Sequence, residues 1–503
     1  MIKTASHGVS NRAAAGATVL IISRLIARFI DLATLLALGR LLSPADFGLV
    51  AIAMSVIMIV EAVFELPVGH ALIRLPTITQ AHYDTAFTLS LLRGLGVALI
   101  LLVLSWPFAQ FYGDDRLTAL ICALGIAPAA RSLGSTRMIE FAKKLDFRRN
   151  LICEFVGKSA ALTISVSLAW GTGSYWSIAA GTIAAPVAGD IASYFLAPYL
   201  PKLNLREWRE FASFLGWSSA SQAVNALNWQ MDQLLLGRFI SRLELGRFSM
   251  AANLAVLPTQ IIVLQVLNPL MVAFSLIRED SRRLTRAYRD SATTVVAVGL
   301  PMMIGMSIIA EPMIRLILGE QWVESAAILR WLALAVIPSL FVAPFAALSM
   351  ALNRTNLFLR LSLIEFFFKL PLIVFGTIYY GVHGVLVTRL ATAVIMTGCS
   401  MLAVRELIGL SIRAQVFGPW RSLLSGIVMA LAIMPFQSWL SGIREYGPLV
   451  LSLAAVVGLA AAVYTGSIFL LWRLAGCPGG FESKVVGFLR RYSRRAEKMP
   501  RRF

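Results

Sequence analysis

Apolar stretches long enough to cross a bilayer recur along this chain from about residue 13 to residue 472, and no other feature constrains its fold as strongly. An unpaired backbone amide in hydrocarbon costs several kcal/mol, and a helix pairs its own. The pattern predicts an all-α integral membrane protein with about 14 transmembrane helices. They fall near 13–38, 44–66, 84–111, 117–141, 151–170, 175–198, 211–236, 242–275, 291–318, 325–352, 358–380, 384–404, 420–439 and 448–472. Only 14% of the residues are charged, against about a quarter in a soluble domain, so no separate soluble domain is expected. The first apolar run carries Arg24 and Arg28 and is too long for a cleaved signal.

The net charge of +19 is placed as a membrane protein places it. With the N-terminus inside, 29 of the 45 basic residues fall on the inner loops, the adjoining helix ends and the two termini. Only Arg40, Arg116, Arg238, Arg242 and Arg444 fall on the outer loops, beside seven acids. This asymmetry predicts both termini in the cytoplasm of a multi-pass cell inner membrane protein. The basic tail "RRYSRRAEKMPRR" is expected against anionic headgroups, and no nucleic acid partner is implied.

Several chemistries are excluded. Every outer loop is short, which leaves no catalytic domain for a membrane glycosyltransferase or polymerase, and no enzyme is expected. The GKS at 157–159 has Ile152 where a phosphate-binding loop needs Gly. The cysteines Cys122, Cys153, Cys399 and Cys477 form no CxxC pair, and the four histidines make no metal pattern.

Residues 39–49, "GRLLSPADFGL", return at 237–247 as "GRFISRLELGR". Ser43 with Asp46 and Ser241 with Glu244 read as helix-capping pairs, Pro44 as a first helical residue, and Gly39 as a left-handed C-cap. Echoes follow in step: "FYGDDRL" (111–117) with "ILGEQWV" (317–323), and "KKLDFRR" (143–149) with "NRTNLFLR" (353–360). Helices 1–6 and 7–12 therefore read as two pseudo-symmetric six-helix lobes in a parallel repeat, with a substrate site between halves and two C-terminal helices added. The expected organisation is a cytoplasmic N-terminus 1–12, lobes 13–198 and 211–404, a linker 199–210, helices 405–472 and a tail 473–503.

Eleven basic and nine acidic residues remain inside helices. Each costs about 2.5–3.5 kcal/mol at mid-membrane, so they pair, snorkel or line a wet cavity. Arg24, Arg28 and Asp31 share one face of helix 1, and one Asp does not neutralise two Arg. With Arg93, Arg131, Lys158, Lys369 and Arg389 they predict a cationic cavity that selects an anion. Ser218, Gln222, Asn225, Asn228 and Asp232 form a polar stripe on helix 7 suited to a sugar or a water path. Glu365 stands one turn from Lys369. Arg137, Glu140, Glu154, Asp190, Arg315 and Arg330 lie near helix ends and read as snorkelling charges.

"LGRLLSPADFGLVAIA", "GHALIRL" and "AFTLSLLRGLG" resemble the opening of bacterial polysaccharide exporters, the oligosaccharide-lipid (Wzx-like) flippases of the MOP superfamily. "MDQLLLGRFISRLELGRFSMA", "LPTQIIVLQVLNPLMVAFS" and "LILGEQWVESAAILRWLA" resemble the second half of that pattern. The resemblance implies a V-shaped two-lobe fold. It implies an undecaprenyl-pyrophosphate-linked sugar repeat unit as substrate, moved to the outer leaflet by alternating access for capsule, exopolysaccharide or O-antigen. A polysaccharide polymerase or export machinery is the implied partner. No cofactor is expected. Coupling to an H+ or Na+ gradient is open, with Asp31, Asp232 and Glu365 as candidate ion carriers. A lipid II flippase is the nearest alternative. A drug/cation antiporter, with twelve helices and an acidic pocket, fits the surplus arginine less well.

Overall fold

The computed structural model describes residues 25–486 apart from 67, 76, 145, 213–215, 261–266, 268, 479 and 484–485. Arg24 and the basic tail lie outside the described residues. Among the described residues the chain is all-helical, with no strand. Among the described residues eight helices are long and apolar enough to cross a membrane, and two bent helix pairs pass the same test together.

Packing divides the chain into two compact units: residues 1–249 with 373–382, and residues 250–372 with 383–503. The sequence repeat divides it elsewhere, at the 199–210 linker.

The first unit contains α1 (25–41), α2 (Pro44–Val63), α3 (Val68–Arg74), α4 (Gln80–Tyr112), α5 (Arg116–Leu124), α6 (Ile126–Arg131), α7 (Ile139–Lys143), α8 (Arg148–Thr172), α9 (Trp176–Leu196), α10 (Trp208–Ala212) and α11 (Gly216–Phe239). α12 (Arg242–Pro258) begins in this unit and ends in the other. α8 and α9 pack along each other, and α2 packs on α11 and α5. The second unit holds α13 (Leu270–Leu276), α14 (Ser281–Ile308), α15 (Ala310–Leu318), α16 (Ser325–Leu340), α17 (Phe345–Ala351), most of α18 (Thr355–Ile408), α19 (Ile412–Phe417), α20 (Trp420–Ile433), α21 (Phe436–Gly442) and α22 (Tyr446–Leu474). There α14 packs on α16 and α20, and α20 on α22.

The repeated turns are built as their sequences require. Asp46 N–H donates to Ser43 Oγ at 3.3 Å and Ser43 N–H returns the bond to Asp46 Oδ2 at 3.1 Å. Glu244 N–H and Ser241 Oγ (3.2 Å), with Ser241 N–H and Glu244 Oε2 (3.4 Å), repeat the arrangement. Each pair satisfies amides that a helix start leaves open. In the second echo Gly113 and Gly319 both adopt positive φ after their helices, but Gly113 is left-handed (ψ 36°) and Gly319 is not (ψ 176°).

Gly39 is not a left-handed cap. α1 runs through it to residue 41, and α11 likewise runs through Gly237. Gly237 is there for space, because a Cβ would fall 2.9 Å from Ile52 Cγ1 and 3.2 Å from the Tyr112 ring. Other expected spans are irregular. The 117–141 and 420–439 spans are broken, with bends of 55° and 45°. The 358–380 and 384–404 spans form one hydrogen-bonded run that turns at Gly381 (φ 55°, ψ −131°), a conformation open to glycine.

The segment after α9 is strapped to the start of α4. Asp84 Oδ1 accepts from Tyr199 OH at 2.5 Å and from Lys202 N–H at 3.3 Å. Burial and the Asp84 bond push the Tyr199 phenol well above its usual range, so it stays a donor. Asn204 N–H donates to Thr88 Oγ1 at 2.9 Å, and Phe211 is buried among Val68, Ala71, Leu72 and Ala86. His82 Nε2 lies 3.2 Å from Glu210 Oε2, with Glu207 close by, while Nδ1 contacts the Thr79 hydroxyl at 2.6 Å. This His–Glu–Glu group joins α4 to the strap, so linear spacing does not disclose it. With Nδ1 engaged as a cap, it reads as a fastening.

Candidate functional site

A cavity of about 1070 Å³ lies inside the first unit, walled by α1, α2, α6, α8 and α9. α1 contributes Asp31, Thr34, Leu35 and Leu38, three and four residues apart and therefore on one face. α8 contributes Glu154, Lys158, Ala161 and Ser165 at the same spacing, and α9 contributes Thr182, Pro186, Asp190 and Ser193. Small residues on α8 and α9 leave the space, and the charged ones face it.

The charges are largely matched. Lys158 Nζ donates to Asp31 Oδ1, and Arg28 Nη1 stands 3.6 Å from Asp31 Oδ2. Arg131 Nη1 donates to Glu61 Oε1 at 2.8 Å. The lining carries two bases, Arg131 and Lys158, and three acids, Asp31, Glu154 and Asp190. The surplus of positive charge expected from helix composition is therefore not a property of this cavity. Composition counts the charges in helices, whereas packing decides which of them meet. Glu154 and Asp190, read from sequence as snorkelling ends, both line it. Asp190 Oδ2 is buried and accepts no hydrogen bond among the described residues. The three- and four-residue recurrence of small and polar residues along 154–165 and 182–193 was the available signal.

Of the other sequence-predicted residues, Arg93 stands apart from the cavity lining, donating from Nε to Phe64 O at 3.0 Å. The helix 7 stripe lies on α11 and grades from exposed Gln222 through half-buried Asn225 to buried Asn228 and Asp232. Asp232 is fully buried, and none of the four lines the cavity. Ser218 falls on α11, with its side chain outside the described ones. In the second unit, Glu365 and buried Lys369 stand one turn apart on α18, and half-buried Arg389 follows the Gly381 turn.

Residues 37–327 match the family described as "Polysaccharide biosynthesis protein". The chain belongs to this family. It is 22% identical over 413 residues to the lipopolysaccharide biosynthesis protein WzxC of Escherichia coli (strain K12), covering 80% of this chain and 82% of that one. It is 24% identical over 305 residues to the succinoglycan biosynthesis transport protein ExoT of Rhizobium meliloti (strain 1021), covering 59% and 61%. It is 24% identical over 369 residues to the teichuronic acid biosynthesis protein TuaB of Bacillus subtilis (strain 168), covering 69% and 73%. Among solved structures, the lipid II flippase MurJ in an inward closed conformation superposes with a TM-score of 0.71 at 14% identity, over 90% of this chain and 98% of that one. An inward-facing multidrug resistance MATE family transporter of the MOP superfamily gives 0.62 at 14% identity, over 77% and 98%. The chain thus has the fold that these transporters share, and its relatives and neighbours are transport and biosynthesis proteins rather than enzymes.

Proposed function

We propose that this protein is a flippase of the bacterial inner membrane that carries a lipid-linked oligosaccharide repeat unit to the outer leaflet by alternating access, for a cell-surface polysaccharide. Its family and its relatives WzxC, ExoT and TuaB support this reading. The structural observation that carries it is a large cavity whose mostly apolar wall holds charged and hydroxyl groups. At about 1070 Å³ it exceeds the ~300–1,000 Å³ typical of small-molecule pockets. Its carboxylates, hydroxyls and held bases suit sugar hydroxyls, which both donate and accept hydrogen bonds.

Within this reading the chain has fourteen spans in two six-helix lobes, 13–198 and 211–404, with both termini cytoplasmic. Arg131 and Lys158 in the cavity wall, with Arg28 beside Asp31, meet the anionic pyrophosphate. Asp31, Asp232 and Glu365 are the carboxylates through which an H+ or Na+ gradient drives the cycle. A polysaccharide polymerase receives the product.

Deletion of the gene followed by analysis of lipid-linked sugars tests the proposal. One repeat unit should accumulate in the inner leaflet while growth continues and surface polymer disappears. Unchanged lipid-linked pools reject the flippase reading, and arrested growth with lipid II accumulation replaces its substrate.

A further inference from the structure

The group that fastens the strap to α4 brings three metal-ligating side chains together. One ligand atom from each of His82, Glu207 and Glu210 lies within 4.8 Å of the other two, and His82 Nε2 stands 3.2 Å from Glu210 Oε2. Two ligands each ~2.1 Å from a tetrahedral zinc ion stand about 3.4 Å apart. The glutamate side chains therefore have at most about 1.4 Å to close.

Local structure holds the three in place. Glu207 and Glu210 are joined by a turn in which Glu210 N–H donates to Glu207 O at 3.1 Å, so both side chains leave on one side. Glu207 N–H donates to Thr85 Oγ1 at 3.4 Å, and Asn204 and Phe211 pin the strap before and after. His82, 9% exposed, sits in the first turn of α4. Two carboxylates beside one imidazole leave a surplus of negative charge. The Glu207 carboxylate has no hydrogen bond or ion pair among the described residues. Like charges this close favour a cation between them. The surroundings of the ring are also those of a metal ligand. His82 Nδ1 lies 2.6 Å from Thr79 Oγ1, which is placed to accept the proton that a metal-bound imidazole carries on its other nitrogen. The ring gives up its cap bond from Thr79 N–H, 3.2 Å away, in exchange.

We infer that this group binds a divalent cation of the zinc class, on His82 Nε2 and the two glutamates, with water completing the tetrahedron. A neutral imidazole with carboxylates suits zinc, whereas magnesium and calcium take oxygen ligands almost alone. Exposed Glu210 gives the ion a path from solvent. Once bound, it clamps the strap to α4 through three coordinate bonds. None of the three residues lines the large cavity, so the site stands independently of the transported substrate.

The test uses the full chain in detergent, without a polyhistidine tag and stripped with EDTA. Titration calorimetry with zinc chloride should show one ion per chain, with magnesium chloride at least about ten-fold weaker. X-ray absorption at the zinc edge should show nitrogen and oxygen neighbours and no sulfur, which separates this site from the four cysteines. Glu207→Gln, whose carboxylate supports no bond in the strap, and Glu210→Gln should each weaken binding at least about ten-fold. Zinc should slow proteolysis between residues 199 and 212 in the parent chain and not in Glu207→Gln. Absence of zinc at one per chain, sulfur around the ion, or undiminished binding by either variant overturns the site. Zinc binding that leaves this cleavage unchanged overturns the clamp. His82→Ala is avoided, because His82 caps α4 and its loss threatens the helix start itself.

Discussion

Gly48 and Gly246, at equivalent positions of the two repeated turns, pack backbone to backbone. A Cβ on Gly48 would lie 1.9 Å from the Arg242 carbonyl oxygen, and a Cβ on Gly246 would lie 1.7 Å from that of Pro44. Pro44 and Arg242 are themselves equivalent in the repeat, so the contact is reciprocal. The turns are therefore scaffold twice over: each caps its own helix, and each clears a path for the other. Small residues at such crossings let membrane helices approach closely.

Gly48→Ala and Gly246→Ala should each destabilise by more than the usual overpacking cost of about 1–3 kcal/mol, because the clash is with backbone that cannot rotate away. Gly305→Ala, where a Cβ meets nothing within 4 Å, should be neutral or stabilising. Fluorescence-detected size exclusion after heating compares the three.

Lys158→Met should abolish polymer export while the protein still inserts, since it strips Asp31 of the cation that donates to it. Lys158→Arg should retain part of the activity. Complementation of a deletion strain, scored by surface polymer, gives the answer, and full export by Lys158→Met would remove the pair from the site.

Asp114 should make the turn between α4 and α5 acid-sensitive. Arg116 donates to it at 2.9 Å through both Nε and Nη2 and holds its carboxyl below the ordinary 3.8, outweighing the upward push of burial. The folded state binds this proton less readily than the unfolded chain. The contribution is therefore complete above the unfolded value and lost as pH falls through the lowered one. Melting curves from neutral pH down to about 3 should show an acid limb that Asp114→Asn flattens, with lower stability at neutral pH.

Phe211→Ala should release the strap on α4. The ring is 1% exposed, and such a truncation costs about 3–5 kcal/mol. Limited proteolysis between residues 199 and 212 should become faster before the global melting temperature falls in proportion. Unchanged cleavage would show that the polar contacts of Asp84, Thr85 and Thr88 hold the segment without it.

Much of the architecture was legible because membrane helices announce themselves through length and apolarity, and capped turns through local chemistry. Ser43 with Asp46 and Ser241 with Glu244 needed only four consecutive residues each. Gly39 misled, since a glycine that ends a helix and one that admits a neighbour look alike in one dimension. Glu154 and Asp190 were discounted for lying near predicted helix ends, yet α8 and α9 turn both into the cavity.

The sequence alone determined that the chain is a helical membrane protein and that its turns repeat, because local hydrogen bonding and the cost of bare amides in lipid depend on neighbours in the chain. That Gly48 and Gly246 meet came only from the packing. Only the tertiary structure decided which charges meet: Lys158 with Asp31, Arg131 with Glu61, Arg421 with Glu482. A charge on a helix has a cost that its own sequence sets, but its partner is whatever side chain packing brings within a few ångströms, and that distance is not written along the chain.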